Sequence, residues 1–243
     1  SSRALAFVTD FLSTNQDAHL YLVGGAVRDA LLGRRMKEVD FDFVVGGMSS
    51  DLLEACLKSR GEVNLVGQHF GVYKFMPNGF HHPDIQFIDI ALPRTEAVAS
   101  GSLGGYRDFD IQSDPNLSIE TDLARRDFTI NAMAWDVRRR QLIDPFDGQS
   151  DLSHKTIRAV RNPTERFTED LSRILRGLRF AAELDFTIEE ETSRAMKNLL
   201  PRMNGQREVE GKLEYVVPRE TVGIDIDTGG ALAAGADVME PWS

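Results

Sequence analysis

Cysteine is nearly absent: Cys56 is the only one in 243 residues, which excludes an internal disulfide framework and a cysteine-rich zinc site and fits a reducing cytoplasm. It reads as a small apolar residue on a helix over Leu52–Leu57. No uninterrupted apolar run approaches the roughly 18 residues of a bilayer span, so a soluble chain without a membrane partner is expected. Ser1 takes the place of an initiator Met and no charged-then-apolar leader follows it, so the chain is expected to start inside a longer gene product. Histidine is scarce, and His69, His81 and His82 have no partners at metal-ligand spacing. They read as surface or loop residues, and Trp135 as core. Positive charge is also short, with 28 Lys and Arg against 38 Asp and Glu for a net charge of −10. That balance argues against non-specific nucleic-acid binding by the whole chain, because neutralising phosphates takes clustered Lys and Arg.

A hydrophobic content of 42% is enough for a real core, in one large domain or two small ones. The charge is uneven. Between Asp122 and Arg179 stand twelve basic residues against nine acidic ones, so that segment is +3 and the rest of the chain −13. A polyanion is therefore expected along the middle of the chain.

Periodicity divides the sequence. An amphipathic helix around Leu5–Leu12 precedes a strand His19–Val23, the turn Gly24-Gly25, and a helix Ala26–Leu32 that stops at Gly33. Val39–Val45 reads as a second strand, Leu52–Lys58 as a helix, and Val72–Met76 and Ile85–Leu92 as further strands. From Pro93 to Glu120 the pattern fades into Gly, Ser, Asp and Pro, which predicts a mobile loop. A helix near Leu123–Phe128 and a hairpin of Ile130–Val137 with Gln141–Asp144 follow. Beyond Asp151 the strand signal vanishes, and helices are expected over Glu169–Glu183 and Glu189–Leu200, the first with a stripe of Leu171, Ile174, Leu175, Leu178 and Ala182. The expected fold class is α+β: a head with a small mixed β-sheet and flanking helices (residues 1–150), an all-α neck (151–217), and a glycine-rich tail (218–243) without a readable period.

Asp40 and Asp42 stand one residue apart in an apolar strand, so both carboxylates point to one face. Such a pair repels itself unless a cation sits between, and hard oxygen donors select magnesium, with manganese an alternative. The bland alternative is the solvated face of an edge strand. Against it, Phe41, Phe43, Val44 and Val45 surround the pair, and Asp89 brings a third carboxylate from another apolar strand. Gly24 and Gly25 ahead of a helix let a polyanion approach the backbone, and Arg28 follows one turn in.

These residues resemble the bacterial-type class II tRNA nucleotidyltransferase and poly(A) polymerase family. The resemblance is carried in order by Gly24-Gly25-Ala26-Val27-Arg28-Asp29, Asp40-Phe41-Asp42, Arg125-Arg126-Asp127-Phe128-Thr129-Ile130-Asn131-Ala132 and Glu169-Asp170-Leu171-Ser172-Arg173. It implies an enzyme that adds CMP and AMP, from CTP and ATP, to the 3′ end of tRNA or another RNA in the cytoplasm. Asp40, Asp42 and Asp89 would be catalytic, with Asp40 and Asp42 holding two metal ions. Gly24, Gly25 and Arg28 would hold phosphates, and Arg126, Asp127 and Asn131 would orient sugar and phosphates. An ion pair capping the helix near Phe128 is the structural alternative for that segment. A flexible loop from Arg94-Thr95-Glu96 through Gly101, Gly104 and Gly105 to Tyr106 would assist addition of the terminal A. Family members are usually longer, with helical regions beyond the neck that grip tRNA, so this chain is expected to be incomplete or to hold RNA differently.

The neck reads chemically as well. On one helix, Asp170 and Arg173 would share a face. An ionised Asp only accepts hydrogen bonds and Arg only donates them, which matches the amino group and ring nitrogen of cytosine or adenine and opposes uracil and guanine. The resemblance assigns this pair to the incoming base, and Arg176 and Arg179 continue toward triphosphate or RNA. The nearest alternative is a poly(A) polymerase; a non-catalytic nucleotide- or RNA-binding module and a metal-dependent glycosyltransferase belong to other classes. Nothing in the sequence assigns an oligomeric state.

Overall fold

The computed structural model describes residues 6–34, 41–66, 72–79, 87–98, 109–203, 223–225 and 230–232. The first part runs α1 (Ala6–Thr14), β1 (His19–Val23), α2 (Gly25–Leu31), β2 (Asp42–Gly46), α3 (Ser50–Lys58), β3 (Gly61–Val66), β4 (Val72–Pro77) and β5 (Ile88–Ala91). Next come β6 (Arg94–Val98), β7 (Phe109–Ser113), α4 (Ile119–Ala124), a 3-10 turn at Thr129–Asn131, β8 (Ala134–Asp136), β9 (Gln141–Ile143) and α5 (Gly148–Ser153). The rest is β10 (Thr156–Ile157), α6 (Pro163–Glu169), α7 (Ser172–Leu184), β11 (Thr187–Ile188), α8 (Glu190–Met203), β12 (Gly223–Asp225) and β13 (Gly230–Leu232).

One seven-stranded sheet has the order β3-β4-β5-β2-β1-β8-β9. Only β2 and β5 pair in parallel, because the chain crosses over through α3 and the β3–β4 hairpin before it returns. Period two sorts the strand residues onto two faces. Leu20, Phe43, Val45, Phe75 and Ile90 pack against Phe7 and Phe11 of α1 and Leu53 and Leu57 of α3. Tyr21, Val23, Val44 and Ala134 meet Ile119 and Leu123 of α4 on the other face. A third cluster joins Val27, Phe128, Ile130 and Met133 to Phe167, Ile174, Phe180 and Met196, so the core runs continuously across residue 150. The architecture is α+β, a mixed sheet with flanking helices. Among the described residues no helix is long and apolar enough to cross a membrane.

Several expectations shift. The helix anticipated over Glu169–Glu183 starts later: Glu169 closes an unanticipated α6, Asp170 is extended with φ of −147° and ψ of 104°, and α7 starts at Ser172. The buried stripe of α7 is Ile174, Gly177, Phe180, Ala181 and Leu184, preceded by Leu171, while Leu175 and Ala182 face solvent. The flanks of the segment read as a mobile loop pair as the β6–β7 hairpin, from Arg94 opposite Ser113 to Val98 opposite Phe109; residues 99–108 between them lie outside the described residues. The helix placed near Leu123–Phe128 lies earlier, where Ser118 caps α4 by accepting from the Thr121 amide. Trp135 is 38% exposed on the short strand β8 and is no core residue. After Asp151 two short strands, β10 and β11, do pair in parallel, and the tail holds the antiparallel pair β12–β13.

Candidate nucleotide site

Sheet register builds the first part of the site. Val23, Asp42, Asp89 and Lys74 are successive cross-strand partners on β1, β2, β5 and β4, so their side chains leave one face in a row. Lys74 Nζ donates to both oxygens of Asp89, at 3.0 and 3.3 Å. Gly24 follows Val23 and stands at the N-terminus of α2 with φ 71° and ψ −135°, a conformation L side chains rarely adopt. A Cβ there would also lie 3.0 Å from Arg126 Nη1 and 3.7 Å from Asp42 Oδ2. Asp42, Arg126 and the glycine turn therefore converge. Asp40 lies outside the described residues. Among the described residues no group of three acidic, histidine or cysteine side chains is disposed around one point to hold a metal. The donor set that is present fits a divalent cation: Asp42 and Asp89 offer hard oxygens side by side.

Asp122, which the sequence reading passed over, sets the second part. It is fully buried and accepts from Arg125 Nε at 2.9 Å, Arg126 Nη2 at 3.4 Å and the Arg94 amide at 3.3 Å. Burial pushes its carboxyl up, but the two guanidinium groups and these hydrogen bonds outweigh it and hold the carboxyl below its ordinary value. The i, i+3, i+4 spacing of Asp122, Arg125 and Arg126 was the readable signal.

Asp127 and Asn131 form a relay. Arg28 grips Asp29 with Nε and Nη2, at 2.8 and 3.0 Å, and donates from Nη1 to Asn131 Oδ1 at 2.9 Å. Asn131 Nδ2 donates to Asp127 Oδ1 at 3.3 Å, and the Phe128 amide donates to the same oxygen at 2.7 Å. Asp127 Oδ2 accepts from Arg176 Nε at 2.8 Å and Nη2 at 2.7 Å. Two of the three residues expected to orient sugar and phosphates, Asp127 and Asn131, thus bind arginines, one from α7 and one from α2.

Asp170 and Arg173 come together, but around the break between α6 and α7. Asp170 Oδ1 accepts from the Ser172 amide at 2.9 Å, and its Oδ2 lies 3.9 Å from Arg173 Nε. Arg173 donates to Glu169 Oε2 at 2.9 Å and to the Arg125 carbonyl at 3.2 Å. Arg166, also missed, donates to Glu169 at 2.7 Å and to the carbonyls of Ala124 and Arg125 at 2.9 and 3.2 Å. Carbonyls at the end of α4, which have no partner within the helix, are thereby satisfied from α6 and α7. Arg125 and Arg126 are consecutive: the carbonyl of one receives Arg173, and the guanidinium of the other reaches the Gly24–Asp42 corner. Two neighbouring residues tie the Asp170–Arg173 pair to the acidic row.

Residues 20–158 match the family model described as Poly A polymerase head domain. A CCA-adding enzyme of Marinobacter nauticus is 43% identical over 183 residues, 74% of this chain and 43% of that protein. One of Enterococcus faecalis is 39% identical over 188 residues, 76% of this chain and 41% of that protein. Among solved structures, the Bacillus stearothermophilus CCA-adding enzyme in complex with CTP superposes with a TM-score of 0.67 at 26% identity, covering 85% of this chain and 46% of that one. A CCA-adding enzyme with ATP gives 0.62 at 31% identity, covering 83% and 43%. The chain spans less than half the length of each of these relatives.

Proposed function

The chain belongs to the poly(A) polymerase head-domain family, and from that premise we propose that it catalyses template-independent addition of CMP and AMP to tRNA 3′ ends, from CTP and ATP. The RNA 3′-hydroxyl attacks the α-phosphorus of the nucleotide, a phosphodiester forms and pyrophosphate leaves. Asp42 and Asp89, with Asp40 by family resemblance, would hold the magnesium ions, for which manganese can substitute. A bound divalent ion lowers the pKa of the attacking hydroxyl and neutralises triphosphate charge. Lys74 orients Asp89 by donating to both of its oxygens, and Arg126 brings positive charge beside Asp42. Gly24 leaves the space that a side chain would fill. Asp170 accepts from the exocyclic amino group of C or A, and Arg173, held by Glu169, donates to the ring nitrogen. Residues 1–150 act as the catalytic head and 151–217 as the neck that inspects the base. The lone cysteine favours a cytoplasmic setting.

The observation that carries this reading is the link through Arg125 and Arg126. A metal-dependent glycosyltransferase gives no role to Glu169, Asp170 and Arg173, and a binding module needs no row of acids. Incubating the chain with magnesium, single nucleotides and tRNAs ending before, within and after CCA tests it. C and A should be added and addition should stop after CCA. Continued A addition would make it a poly(A) polymerase, and nucleotide binding without incorporation would leave a binding module.

A further inference from the structure

Three guanidinium groups surround one aromatic ring where the head meets the neck. Arg28 of α2 and Arg176 and Arg179 of α7 lie 5.2, 5.6 and 5.1 Å from the centroid of Phe180. Each also keeps a carboxylate: Asp29 for Arg28, Asp127 for Arg176, and Glu183 for Arg179 at 3.6 Å. Those acids are different residues, whereas the ring is common to all three cations. Its negatively polarised face attracts a guanidinium within about 6 Å and offsets part of the mutual repulsion of neighbouring cations.

The ring itself is fixed. Phe180 is 6% exposed and meets the buried Phe128 edge to face at 6.0 Å. Phe128 follows Asp127, which holds Arg176, and three residues on Asn131 holds Arg28. The outward side is open, with the Arg176 and Arg179 side chains 49% and 57% exposed. A Cβ on Gly25 would lie 3.6 Å from Arg28 Nη2, and one on the preceding Gly24 3.7 Å from Asp42 Oδ2. The arginine cluster thus begins one residue along the turn from the acidic row, on the path of a nucleotide whose α-phosphate sits at that row.

We propose that Phe180 is a positioning residue for the incoming nucleotide: its ring gathers Arg28, Arg176 and Arg179 into a preformed cluster that receives the triphosphate tail. The work of crowding three cations is then done during folding, so binding does not bear it. The proposal rests on the nucleotidyltransferase reading above and adds to it a side chain with no polar atom.

Titration with ATP and with inorganic tripolyphosphate, alongside thermal melting and nucleotide KM, tests it. Phe180→Leu should weaken both ligands roughly tenfold and raise nucleotide KM with kcat little changed, whereas Phe180→Tyr stays within about twofold of the parent. Phenylalanines carrying one, two and three ring fluorines at position 180 keep the shape and drain the ring face, so affinity should fall stepwise while melting stays constant. That series decides the matter even if Phe180→Leu fails to fold. A flat fluorine series, or a Leu variant that loses only thermal stability, would overturn the proposal. The two readings fail separately. A parent chain that binds tripolyphosphate in a fluorine-sensitive way but adds no nucleotide sinks the enzymatic reading alone; one that adds nucleotide with a fluorine-insensitive KM sinks the role of Phe180 alone.

Discussion

Asp122 is the residue at which burial and charge compete most directly. Its desolvation is outweighed by Arg125 and Arg126, so its carboxyl titrates below the ordinary value of 3.8. A depressed folded pKa stabilises the fold at pH above the unfolded value, and that contribution disappears as pH falls through 3.8 toward the folded value. Asp122→Ala should therefore cost about 3 kcal/mol at neutral pH, by leaving two guanidinium groups without their buried counter-charge. Chemical denaturation at several pH values should show the gap between parent and variant narrowing only below the ordinary carboxylate range. Asp42 makes the opposite test, since Asp42→Asn keeps shape and removes charge. Nucleotide incorporation should drop at least about a hundredfold while the melting temperature holds. Asp42, Gly24 and Arg126 were legible because their types are unusual where they stand: an acid in an apolar strand, a glycine pair before a helix, two adjacent arginines. Lys74 was not, since one lysine in an alternating strand looks like any solvated position until register sets it beside Asp89.

Elements read well where one period persisted and poorly where two short ones abutted. β1 was readable to the residue because the apolar run Leu20–Val23 ends abruptly at the Gly24-Gly25 turn. The α7 helix was started three residues early, at Glu169, because Leu171, Ile174 and Leu178 keep helical spacing across the break at Asp170, and α6 before it was not anticipated. Asp170 causes that break by offering its side chain to the Ser172 amide, the local bond by which aspartate competes with helix. The break has a geometric consequence. It turns Asp170 from an ordinary helix position into a cap whose second oxygen faces Arg173 Nε at 3.9 Å. Asp170→Ala should relax discrimination by tenfold or more, read as the ratio of kcat/KM for CTP to that for UTP, because the site then has no acceptor to repel the uracil carbonyl that stands where cytosine carries its amino group. An unchanged ratio would remove Asp170 from base reading. The β6–β7 hairpin escaped notice for another reason: its strands flank a stretch of Gly and Ser that averages away their β-forming residues within any window long enough to show a period.

At the scale of the whole molecule, the head and neck proposed from sequence share one core. Val27, Phe128, Ile130 and Met133 belong to the first 150 residues, and all are at most 4% exposed. Phe167 and Phe180, beyond residue 150, help cover Phe128, with ring centroids 6.3 and 6.0 Å from its own. Cutting the chain after residue 150 would bare these four side chains, each worth about 1.5 to 3 kcal/mol when buried, against a typical domain stability of about 5 to 15 kcal/mol. The cut would also remove Arg166 and Arg173 from the carbonyls of Ala124 and Arg125, so α4 would lose the partners of its last turn. The full chain should therefore melt in one transition over its described core, while a fragment of residues 1–150 should melt without cooperativity and bind a hydrophobic dye. The site follows the same logic: Arg126 is oriented from α4, and α4 is held from the neck, so the fragment should also lose ATP binding while Asp42 and Asp89 remain in its sequence. A fragment that unfolds cooperatively and binds ATP like the parent would show the two parts to be independent, and the core across residue 150 to be mere contact.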